Sequence, residues 1–489
     1  MTEQKSIWNK EVFLPHRQSL EEDICVDAAV IGGGMSGILT AHFLNETGLR
    51  TVVLEANRIG SGQTGKTTAK ITSQHGLIYE PLIYRLGTER AKQYADANEA
   101  AVREYRRMVK ERNIDCDFVD CAACLYAVED WQSIAREYEA AEKLGIAVDY
   151  REAAELPFAA GRALFFQEQA HFHPLKFLKA VVEPLTIYEQ TKVLHVEKNQ
   201  IYTNRGTVTA EHIIFCSHYP FLNLPGYYFL RMHQERSYVL ALENADKMKN
   251  MYYGVDGPKL SLRMQGEVLL LGGESHRTGQ NEGGRYQRLR DVARRYWPQC
   301  REILAWSAQD CMPLDGIPYI GRFSRATPNW YVATGFQKWG MSSSMAAAMI
   351  LSDLIIKGEN PWADVFSPER FHLAASAVSL FQNTVQAAKG LLLGAVAASD
   401  GCPNGKEAQD SQTTQGGAQA PRCPHLGCRL TWNPDEKTWD CPCHGSRFDS
   451  QGRILEGPAQ NNLGETEELP EKKVAAQAME RLGQRLRKK

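Results

Sequence analysis

The sequence predicts an α/β fold for the first three quarters of the chain and a small, mostly β domain near its C-terminus. Three observations carry this prediction. Residues 26–31 form a short apolar run that leads into a glycine-rich loop and a helical segment. Residues 423–428 and 441–446 repeat a pattern of Cys, Pro, His and Gly. A chain of 489 residues is also too long for one hydrophobic core, and it predicts roughly two to four domains.

The amino-acid composition and charge exclude several classes of protein. The apolar fraction of 43% and the charged fraction of 23% are ordinary for a globular protein. The net charge of −2 gives no overall attraction for nucleic acid, so nucleic acid is not expected as a partner. The segment Met1–Asp23 lacks the apolar core of a secretory signal, and the longest apolar stretches fall short of the roughly 20 residues that span a bilayer. We therefore expect a cytoplasmic protein without a transmembrane segment.

The N-terminal part of the chain carries a strand, a glycine loop and a helix in that order. The apolar run Val26–Ile31 predicts a buried strand, the G-x-G-x-x-G loop Gly32–Gly37 follows, and Ile38–Thr47 predicts a helix. The glycines allow a pyrophosphate to approach the N–H groups at the helix N-terminus. A second strand, Thr51–Leu54, ends in Glu55, about 20 residues on, where an acid binds a ribose. Together these features predict a Rossmann-type dinucleotide site, and a glycine-rich turn in a generic α/β protein is the weaker alternative.

Later segments indicate which dinucleotide binds. A small, hydroxyl-rich run follows Glu55 over 60–70, and Asp315–Gly321 precedes a predicted strand at Trp330–Thr334. The loop Gly335–Ser342 then begins a long helix. Over roughly residues 24–370 this order of motifs resembles the D-amino-acid oxidase-like flavoprotein family, which includes glycine and sarcosine oxidases. The resemblance implies that the cofactor is FAD and that the last glycine loop packs beside the flavin ring, where a helix N-terminus stabilises negative charge.

The resemblance also assigns residues to the FAD site. It places Gly32, Gly34, Met35, Ser36, Gly37, Glu55 and Ala56 along the ADP half; Thr64, Lys66 and Thr68 along the phosphates and ribityl chain; Val193 at the adenine; and Gly335, Gly340 and Met341 at the ring. For Thr64 and Thr68 the alternative is that each hydroxyl only caps a turn.

The middle of the chain is expected to form an α+β substrate domain, interleaved with the FAD-binding domain. The segments with a clear pattern are helical Glu80–Glu111, the strand Arg112–Ala127, helical Asp130–Leu144, strand-rich Arg231–Gly273 and helical Asn281–Arg301. In the resembling family, such segments cover the flavin. The substrate domain is accordingly assigned to about residues 85–150 and 226–310.

Four polar side chains in this domain are the candidate catalytic residues. Arg236 and Tyr238 share one predicted strand, Arg263 lies on another, and His276 follows a glycine pair. An arginine can hold a substrate carboxylate through two hydrogen bonds, and a histidine can act as a general base. The simpler alternative for each is a surface arginine or a histidine with satisfied hydrogen bonds. A covalent link from His75 to the flavin is a further, weaker alternative.

Three cysteines share the spacing of an iron–sulfur motif. Cys116, Cys121 and Cys124 have the C-x4-C-x2-C spacing of plant-type ferredoxins. The segment around them is apolar and strand-like, whereas a cluster of that kind needs an irregular glycine-rich loop. We therefore expect structural thiols.

The C-terminal loops supply two thiols and two imidazoles. Cys423 and His425 lie in the first loop, and Cys441 and His444 in the second. These loops resemble the Rieske family, in which the cysteines bind one iron of a [2Fe–2S] cluster and the histidines bind the other. A Cys2His2 zinc site is the alternative, but the single residue between Cys423 and His425 is closer than zinc-finger spacing. Two irons per chain and a rhombic EPR signal of the reduced protein would distinguish the cluster from zinc.

The resemblance implies further features of the C-terminal region. It implies a disulfide between Cys428 and Cys443, with two free thiols as the alternative. Rieske domains have several strands before the first ligand loop. Here the sequence predicts a helix over Ser367–Gly390 and then a polar, flexible linker, and residues 371–420 are assigned to this helix and linker region. The domain is therefore expected to be shortened to 421–465 and to lean on the flavin domain. The basic tail, 466–489, is expected to be a solvated helix end, with peripheral membrane contact as the alternative.

Together these expectations describe an FAD-dependent oxidoreductase with a Rieske centre. FAD would accept a hydride from a carbon next to nitrogen in a small amine or amino acid, and electrons would pass between the flavin and the cluster to an external acceptor. An alternative is a redox sensor or electron-transfer adaptor without a small substrate. Modification of tRNA is a third alternative, which the near-neutral charge and the lack of a basic, aromatic-rich patch disfavour.

One prediction concerns the reduction potential of the cluster. Ser446 can donate a hydrogen bond to a bridging sulfide, which raises the potential. High-potential Rieske proteins place a tyrosine at the position of Phe448 for a second such bond, and a phenyl group cannot donate one. We expect a redox titration to give a potential below that of the high-potential members, and an equal or higher value would contradict this prediction.

Overall fold

The computed structural model describes residues 6–257, 259–370 and 420–465, which form three β-sheets with helices packed on two of them. Most of the predicted helix Ser367–Gly390, nearly all of the predicted linker and the whole basic tail 466–489 lie outside these described residues.

The secondary structure follows one order along the chain. The helices are α1 (Trp8–Glu11), α2 (Met35–Glu46), α3 (Tyr79–Leu86), α4 (Thr88–Glu111), α5 (Trp131–Lys143), α6 (Pro174–Val181), α7 (Tyr228–Arg231), α8 (Arg285–Tyr296), α9 (Gly340–Ile356) and α10 (Ala363–Phe366). The strands are β1 (Ile24–Ile31), β2 (Thr51–Leu54), β3 (Lys70–Ile71), β4 (Val119–Tyr126), β5 (Val148–Glu152), β6 (Arg162–His171), β7 (Thr186–Tyr188), β8 (Val193–Glu197), β9 (Gln200–Thr203), β10 (Thr207–Phe215), β11 (Met232–Glu243), β12 (Met251–Gly254), β13 (Ser261–Gln265), β14 (Val268–Arg277), β15 (Arg301–Pro313), β16 (Tyr319–Ser324), β17 (Thr327–Thr334), β18 (Thr431–Asn433), β19 (Thr438–Asp440), β20 (Arg447–Phe448) and β21 (Ile454–Glu456).

The first sheet is the predicted α/β sheet. Its strands run in the order β16-β17-β10-β1-β2-β7, and β8 and β9 extend it beside β10. Strand β1 pairs in parallel with both β10 and β2, so the loops that follow these three strands meet at one edge. All four residues of β2 and the last four of β1 are buried, which explains their continuous apolar sequence. This edge is where the glycine loop and Glu55 lie.

The second sheet differs from the predicted ranges of the substrate domain. Its order is β15-β11-β14-β13-β12-β4-β6-β3. Strands β3 and β6 belong to it although they lie outside residues 85–150 and 226–310, and β15 continues to Pro313. The predicted helix Glu80–Glu111 is two helices, because Gly87 adopts a left-handed φ of 81° between them. Helix α8 is shorter than Asn281–Arg301 because Gly283 and Gly284 also have positive φ values.

The third sheet is small. Strands β18 to β21 pair in sequence, and their buried apolar cluster comprises Cys423, Cys428, Leu430, Cys441, Cys443, Phe448 and Ala459. The two cysteine–histidine loops have matching backbone hydrogen bonds. Gly427 N–H donates to the Cys423 carbonyl at 2.9 Å, and Gly445 N–H donates to the Cys441 carbonyl at 3.0 Å. The repeated sequence therefore forms a repeated turn.

The small sheet is packed tightly against the substrate sheet. Asp435 accepts the backbone N–H groups of Gly284 and Arg285, so it caps the N-terminus of α8 from the other domain. A Cβ atom on Gly445 would lie 2.6 Å from Cβ of Gln234, and one on Gly279 would lie 2.6 Å from the nitrogen of Pro442. Glycine at these two positions is what permits the close approach of the two domains.

Within the described ranges, no helix combines the length and the apolar character that crossing a membrane requires.

We predict that Gly445→Ala separates the domains locally, whereas Gly427→Ala does not. Both residues have positive φ, 85° and 77°, so alanine costs roughly 1–2 kcal/mol of conformational energy at each. Only at position 445 would the added methyl also displace Gln234, because nothing lies within 4 Å of a Cβ at Gly427. Hydrogen–deuterium exchange of peptides covering β11 and the loop 441–446 measures the difference. Equal exchange in the two variants would contradict the tight interface.

Candidate active site and metal centre

The glycine loop after β1 forms a cradle beneath the N-terminus of α2. Gly32 has a φ of 115°, and a Cβ there would lie 2.5 Å from the carbonyl oxygen of Cys216. A Cβ on Gly37 would lie 1.9 Å from the carbonyl oxygen of Gly32, so this glycine lets the helix pack against the turn. Helix α2 begins after Gly34, which has no side chain with which to cap it. This arrangement suits a bound pyrophosphate, and the residues present therefore fit a dinucleotide.

Two polar side chains fix the loop. Glu55 accepts the backbone N–H of Gly33 at 2.6 Å and that of Asn57 at 2.7 Å, and burial raises the pKa of its carboxyl group. Thr64 accepts the N–H of Met35 at 2.9 Å. Each carboxylate oxygen accepts more than one hydrogen bond, so Glu55 keeps capacity for a ribose hydroxyl.

One cavity of about 1890 Å³ collects nearly all of the predicted cofactor residues. This volume exceeds the several hundred Å³ typical of a small-molecule pocket, so the cavity has room for a dinucleotide and a substrate. The predicted residues that line it are Gly32, Gly34, Met35, Ser36, Glu55, Ala56, Thr64, Lys66, Thr68, Val193, Gly335, Gly340 and Met341. Gly37 does not line the cavity, because it lies in the first turn of α2 and is packed against the Gly32 carbonyl.

The loop between β17 and α9 closes one end of this cavity. Gly335 has a φ of 75°, and a Cβ there would lie 2.6 Å from Pro313. Helix α9 begins at Gly340 without a side-chain cap and lies with its N-terminus at the cavity. Such an N-terminus stabilises negative charge, which fits the predicted position of the flavin ring.

A charged cluster that the sequence analysis missed lies on this loop and the facing sheet. Lys338 donates to the hydroxyl of Ser237 at 2.9 Å, and its Nζ lies 3.4 Å from Glu235 and 3.8 Å from Asp310. Burial, together with nearby Glu235, raises the pKa of Asp310 to about 6, although Lys338 opposes this rise. Burial opposes ionisation of Glu235 as well, but hydrogen bonding from His233 and the Lys338 charge lower the pKa of Glu235 to about 2. The two-residue alternation of β11 could have indicated that 235 and 237 share a face.

The four predicted catalytic residues are not brought together in the cavity. Arg236 faces the small domain and is ion-paired with Glu436 and Glu456. Arg263 is fully buried and donates to the carbonyls of Thr68, Met264 and Phe172 and to His171. Neither lines the cavity, so both are structural in position and their substrate role has no support in the geometry.

The side chains of His276 and Tyr238 form a hydrogen bond with each other. The Nε2 of His276 lies 3.1 Å from the hydroxyl of Tyr238, and its Nδ1 bonds to the Arg277 carbonyl at 2.8 Å. Tyr238 lines the cavity, but its hydroxyl also accepts a hydrogen bond from Asn281 at 3.0 Å. His276 does not line the cavity, and its hydrogen bonds are satisfied elsewhere.

His75 and the three spaced cysteines are also packed into the protein. The ring of His75 stacks on Trp339 with centroids 5.0 Å apart, and burial lowers the pKa of His75 to about 3. His75 does not line the cavity. Cys121 and Cys124 lie on β4, Cys116 is buried before it, and burial raises the pKa of both Cys116 and Cys121 to about 12. These thiols have the structural character that the sequence analysis expected.

The four predicted cluster ligands converge in the small domain. The rings of His425 and His444 have centroids 4.9 Å apart, and the Nδ1 atoms of both are buried without a hydrogen-bond partner among the described residues. The hydrogen bond with the Cys441 thiol lowers the pKa of Cys423 to about 7, and the same bond raises that of Cys441. Two orphaned imidazole nitrogens beside two adjoining thiols fit a [2Fe–2S] cluster of the Rieske type.

The predicted disulfide is present in the structure. Cys428 and Cys443 are joined, with Cα atoms 6.6 Å apart, and the bond links the two ligand loops. The sulfurs of these two residues and of Cys441 lie within 4.8 Å of one another. Because two of the three are joined to each other, this group does not offer three thiolates to a metal ion.

The histidine side of the small domain faces the flavin domain. Nε2 of His425 lies 2.8 Å from Oδ1 of Asn223, and Gln234 donates to the His444 carbonyl at 2.6 Å. Gln309 donates to the Gly445 carbonyl at 2.8 Å. Gln234 also lines the large cavity, so one side chain contacts both the cavity and a predicted cluster ligand.

Comparison with known proteins agrees with both halves of this description. Residues 27–354 match the family described as FAD dependent oxidoreductase (DAO), and residues 409–471 match the Rieske [2Fe-2S] domain. The chain is 38% identical over 488 residues to the YhfW protein of Bacillus subtilis (strain 168), whose name describes a Rieske 2Fe-2S iron-sulfur protein, covering 93% of this chain and 96% of that one.

Two further comparisons each cover part of this chain. Gamma-glutamylputrescine oxidoreductase of Escherichia coli (strain K12) is 26% identical over 215 residues, which cover 40% of this chain and 50% of that protein. The crystal structure of L-proline dehydrogenase from P. horikoshii superposes with a TM-score of 0.61 at 17% identity, covering 73% of this chain and 98% of that one. The chain therefore belongs to the DAO family of FAD-dependent oxidoreductases and carries a C-terminal Rieske domain that binds a [2Fe-2S] cluster.

Proposed function

We propose that the protein oxidises a small amine or amino acid with FAD and passes the electrons through the Rieske cluster to an external acceptor. One observation carries this proposal above the rest. Gln234 lines the cavity and donates hydrogen bonds to the carbonyls of His444, at 2.6 Å, and Gly457, at 3.1 Å. The same wall of protein thus contacts both cofactor sites.

When bound, FAD would accept two electrons at a time, and the [2Fe–2S] cluster would transfer one electron at a time. The chain's own residues hold the two sites close, through side chains that line the cavity and contact the small domain. His218 follows β10 and lines the cavity, and its backbone carbonyl accepts the hydroxyl of Thr334 at 2.5 Å, next to the ring loop. The side chain of Gln234 interacts with that of His218 and donates a hydrogen bond to the His444 carbonyl at 2.6 Å. A continuous packed connection therefore runs from the ring loop to a cluster ligand.

The charged cluster on the ring loop supports an amine substrate. Glu235 and Asp310 both face Lys338, so the group carries one net negative charge when both carboxylates are ionised. An ammonium group would be attracted to it, and ionised Asp310 can receive the proton that the amine must lose before its neighbouring C–H bond is oxidised. The hydroxyl of Ser237 lies on the same face of β11 and can orient the nitrogen.

The relatives support the same substrate class. One of them is named for gamma-glutamylputrescine, which is an amine, and another for L-proline, which is an amino acid. The Rieske domain in turn implies a partner that exchanges single electrons.

Anaerobic screening tests the proposal. Purified holoprotein is mixed with amines and with amino acids, and the flavin absorbance is followed without oxygen. We expect a small amine or amino acid to bleach the flavin, and the cluster to become reduced afterwards. If no amine or amino acid bleaches the flavin, but the reduced cluster can transfer electrons to it, the protein would instead be an electron-transfer adaptor.

We predict that Asp310→Asn removes a pH dependence. The charges that act on the pKa of Asp310 are those of Lys338, Glu235, Arg236 and Glu456, and its pKa of about 6 means that its charge is lost as the pH falls through 6. In the wild type, the ratio of the flavin reduction rate to the dissociation constant of the amine should therefore fall below that pH.

In the Asp310→Asn variant this ratio should no longer fall at low pH. The variant should also bind the amine roughly tenfold more weakly, because a hydrogen bond to a charged group contributes about 1.5–3 kcal/mol. Glu302→Gln is the matched control, since Glu302 lies on the same strand and pairs with Arg290 at the surface. Stopped-flow bleaching across pH measures both variants. If the ratio still falls at low pH in Asp310→Asn as it does in the wild type, this carboxyl group does not face the substrate.

A further inference from the structure

The Rieske domain lines the FAD cavity as well as its own cluster. On one side, the cavity is lined by residues predicted to bind FAD, including Gly32, Thr64 and Lys66. On the other side it is lined by the Rieske segment Ile454–Gln460. The segment comprises β21 and the bend at Gly457 and Pro458 that follows it.

One carboxylate fastens this segment to the flavin domain. Oε1 of Glu456 accepts Lys66 at 2.8 Å and Gln63 at 3.0 Å, while Oε2 accepts Arg236 at 3.0 Å and Arg447 at 2.9 Å. Its side chain is 12% exposed, so the charge is largely removed from water. Burial alone would raise the pKa of Glu456, but the three surrounding cations hold it well below its usual range. The carboxylate is therefore ionised and has four donors.

A second contact fastens the far end of the segment. Nζ of Lys192 donates to the carbonyl of Gln460 at 2.5 Å. Lys192 immediately precedes Val193, the residue predicted at the adenine, whereas Lys66 is predicted at the phosphates. The two anchors thus lie on either side of the region where the ADP half of FAD is expected.

We propose that the Rieske segment Ile454–Gln460 is part of the FAD-binding site, and that Glu456 couples retention of FAD to the docked, cluster-loaded Rieske domain. The segment lines the cavity together with the residues predicted to bind FAD, so loss of this wall should speed the release of FAD. Glu456 keeps the wall in place and holds the Lys66 ammonium group at the edge of the cavity. Lys66 retains two further N–H donors for a phosphate.

Coupling of this kind is reciprocal. If the docked Rieske domain strengthens FAD binding by some factor, then bound FAD must stabilise the docked domain by the same factor. The fold of the Rieske domain depends in turn on its cluster, because two of the four predicted ligands, Cys423 and Cys441, belong to its small apolar core. The proposal concerns retention of both cofactors and does not depend on the direction of electron transfer or on the substrate.

Release of FAD from the full-length holoprotein tests the proposal. The probe is the fluorescence of free flavin after dilution, and the dissociation rate is compared between the wild type and Glu456→Gln. We expect FAD to dissociate about tenfold faster from the variant, a change equivalent to ~1.4 kcal/mol. Glu274→Gln is the matched control, because Glu274 pairs with Arg285 and Arg288 and does not line the cavity. Equal dissociation rates in wild type and Glu456→Gln would overturn the proposal.

Two further measurements keep the test decisive if Glu456→Gln folds poorly. Lys192→Met removes the hydrogen bond to the Gln460 carbonyl and leaves Glu456 intact, and it should accelerate FAD release by a smaller factor. In the wild type, removal of FAD should speed the transfer of iron from the cluster to a chelator. If Lys192→Met retains FAD like the wild type and FAD-free protein keeps its iron as long as holoprotein does, the two cofactor sites are independent and the proposal fails.

Discussion

The buried carboxylate of Glu456 is the interaction on which the arrangement of the two domains depends. It joins Arg447 of its own domain to Arg236 of the substrate sheet and to Lys66 of the FAD site. Charges this far from water cost free energy unless each is paired, and removing one partner from a buried pair typically costs about 3–5 kcal/mol. The network therefore favours one docked position for the Rieske domain. Every other contact between the domains, including the one from Gln234 to His444, relies on that position.

The size of the Rieske domain explains why such a network is needed. Domains this small bury too little apolar surface to be stable alone, and they rely on disulfides, metals or contact with another domain. This domain combines all three: the bond between Cys428 and Cys443, the cluster ligands and the substrate sheet. Asp435 completes the N-terminus of α8 in return. Each domain thus supplies a part that the other lacks, and the histidines that would bind the cluster contact the flavin domain.

Much of this was readable from the sequence, because the residues concerned act locally. Gly32 and Gly37 are required by the backbone of one turn, and His425 and His444 lie in short repeated loops. Arg236 could not be assigned in the same way, since neighbouring residues on a strand face opposite sides and the sequence does not say which side is covered. Its burial depends on Glu436 and Glu456, some two hundred residues away. Asp310 was missed for a similar reason: its carboxyl group meets Lys338 only after a sheet and a loop have packed together.

The central claim is that one polypeptide joins a two-electron cofactor to a one-electron centre through a shared wall. Rapid-freeze EPR tests it most directly. Wild-type holoprotein is mixed anaerobically with a substrate that bleaches the flavin, and samples are frozen at increasing times. The account predicts that the signal of the reduced cluster grows within a single turnover, before any external acceptor is added. A flavin that becomes fully reduced while the cluster stays oxidised for many turnovers would contradict it.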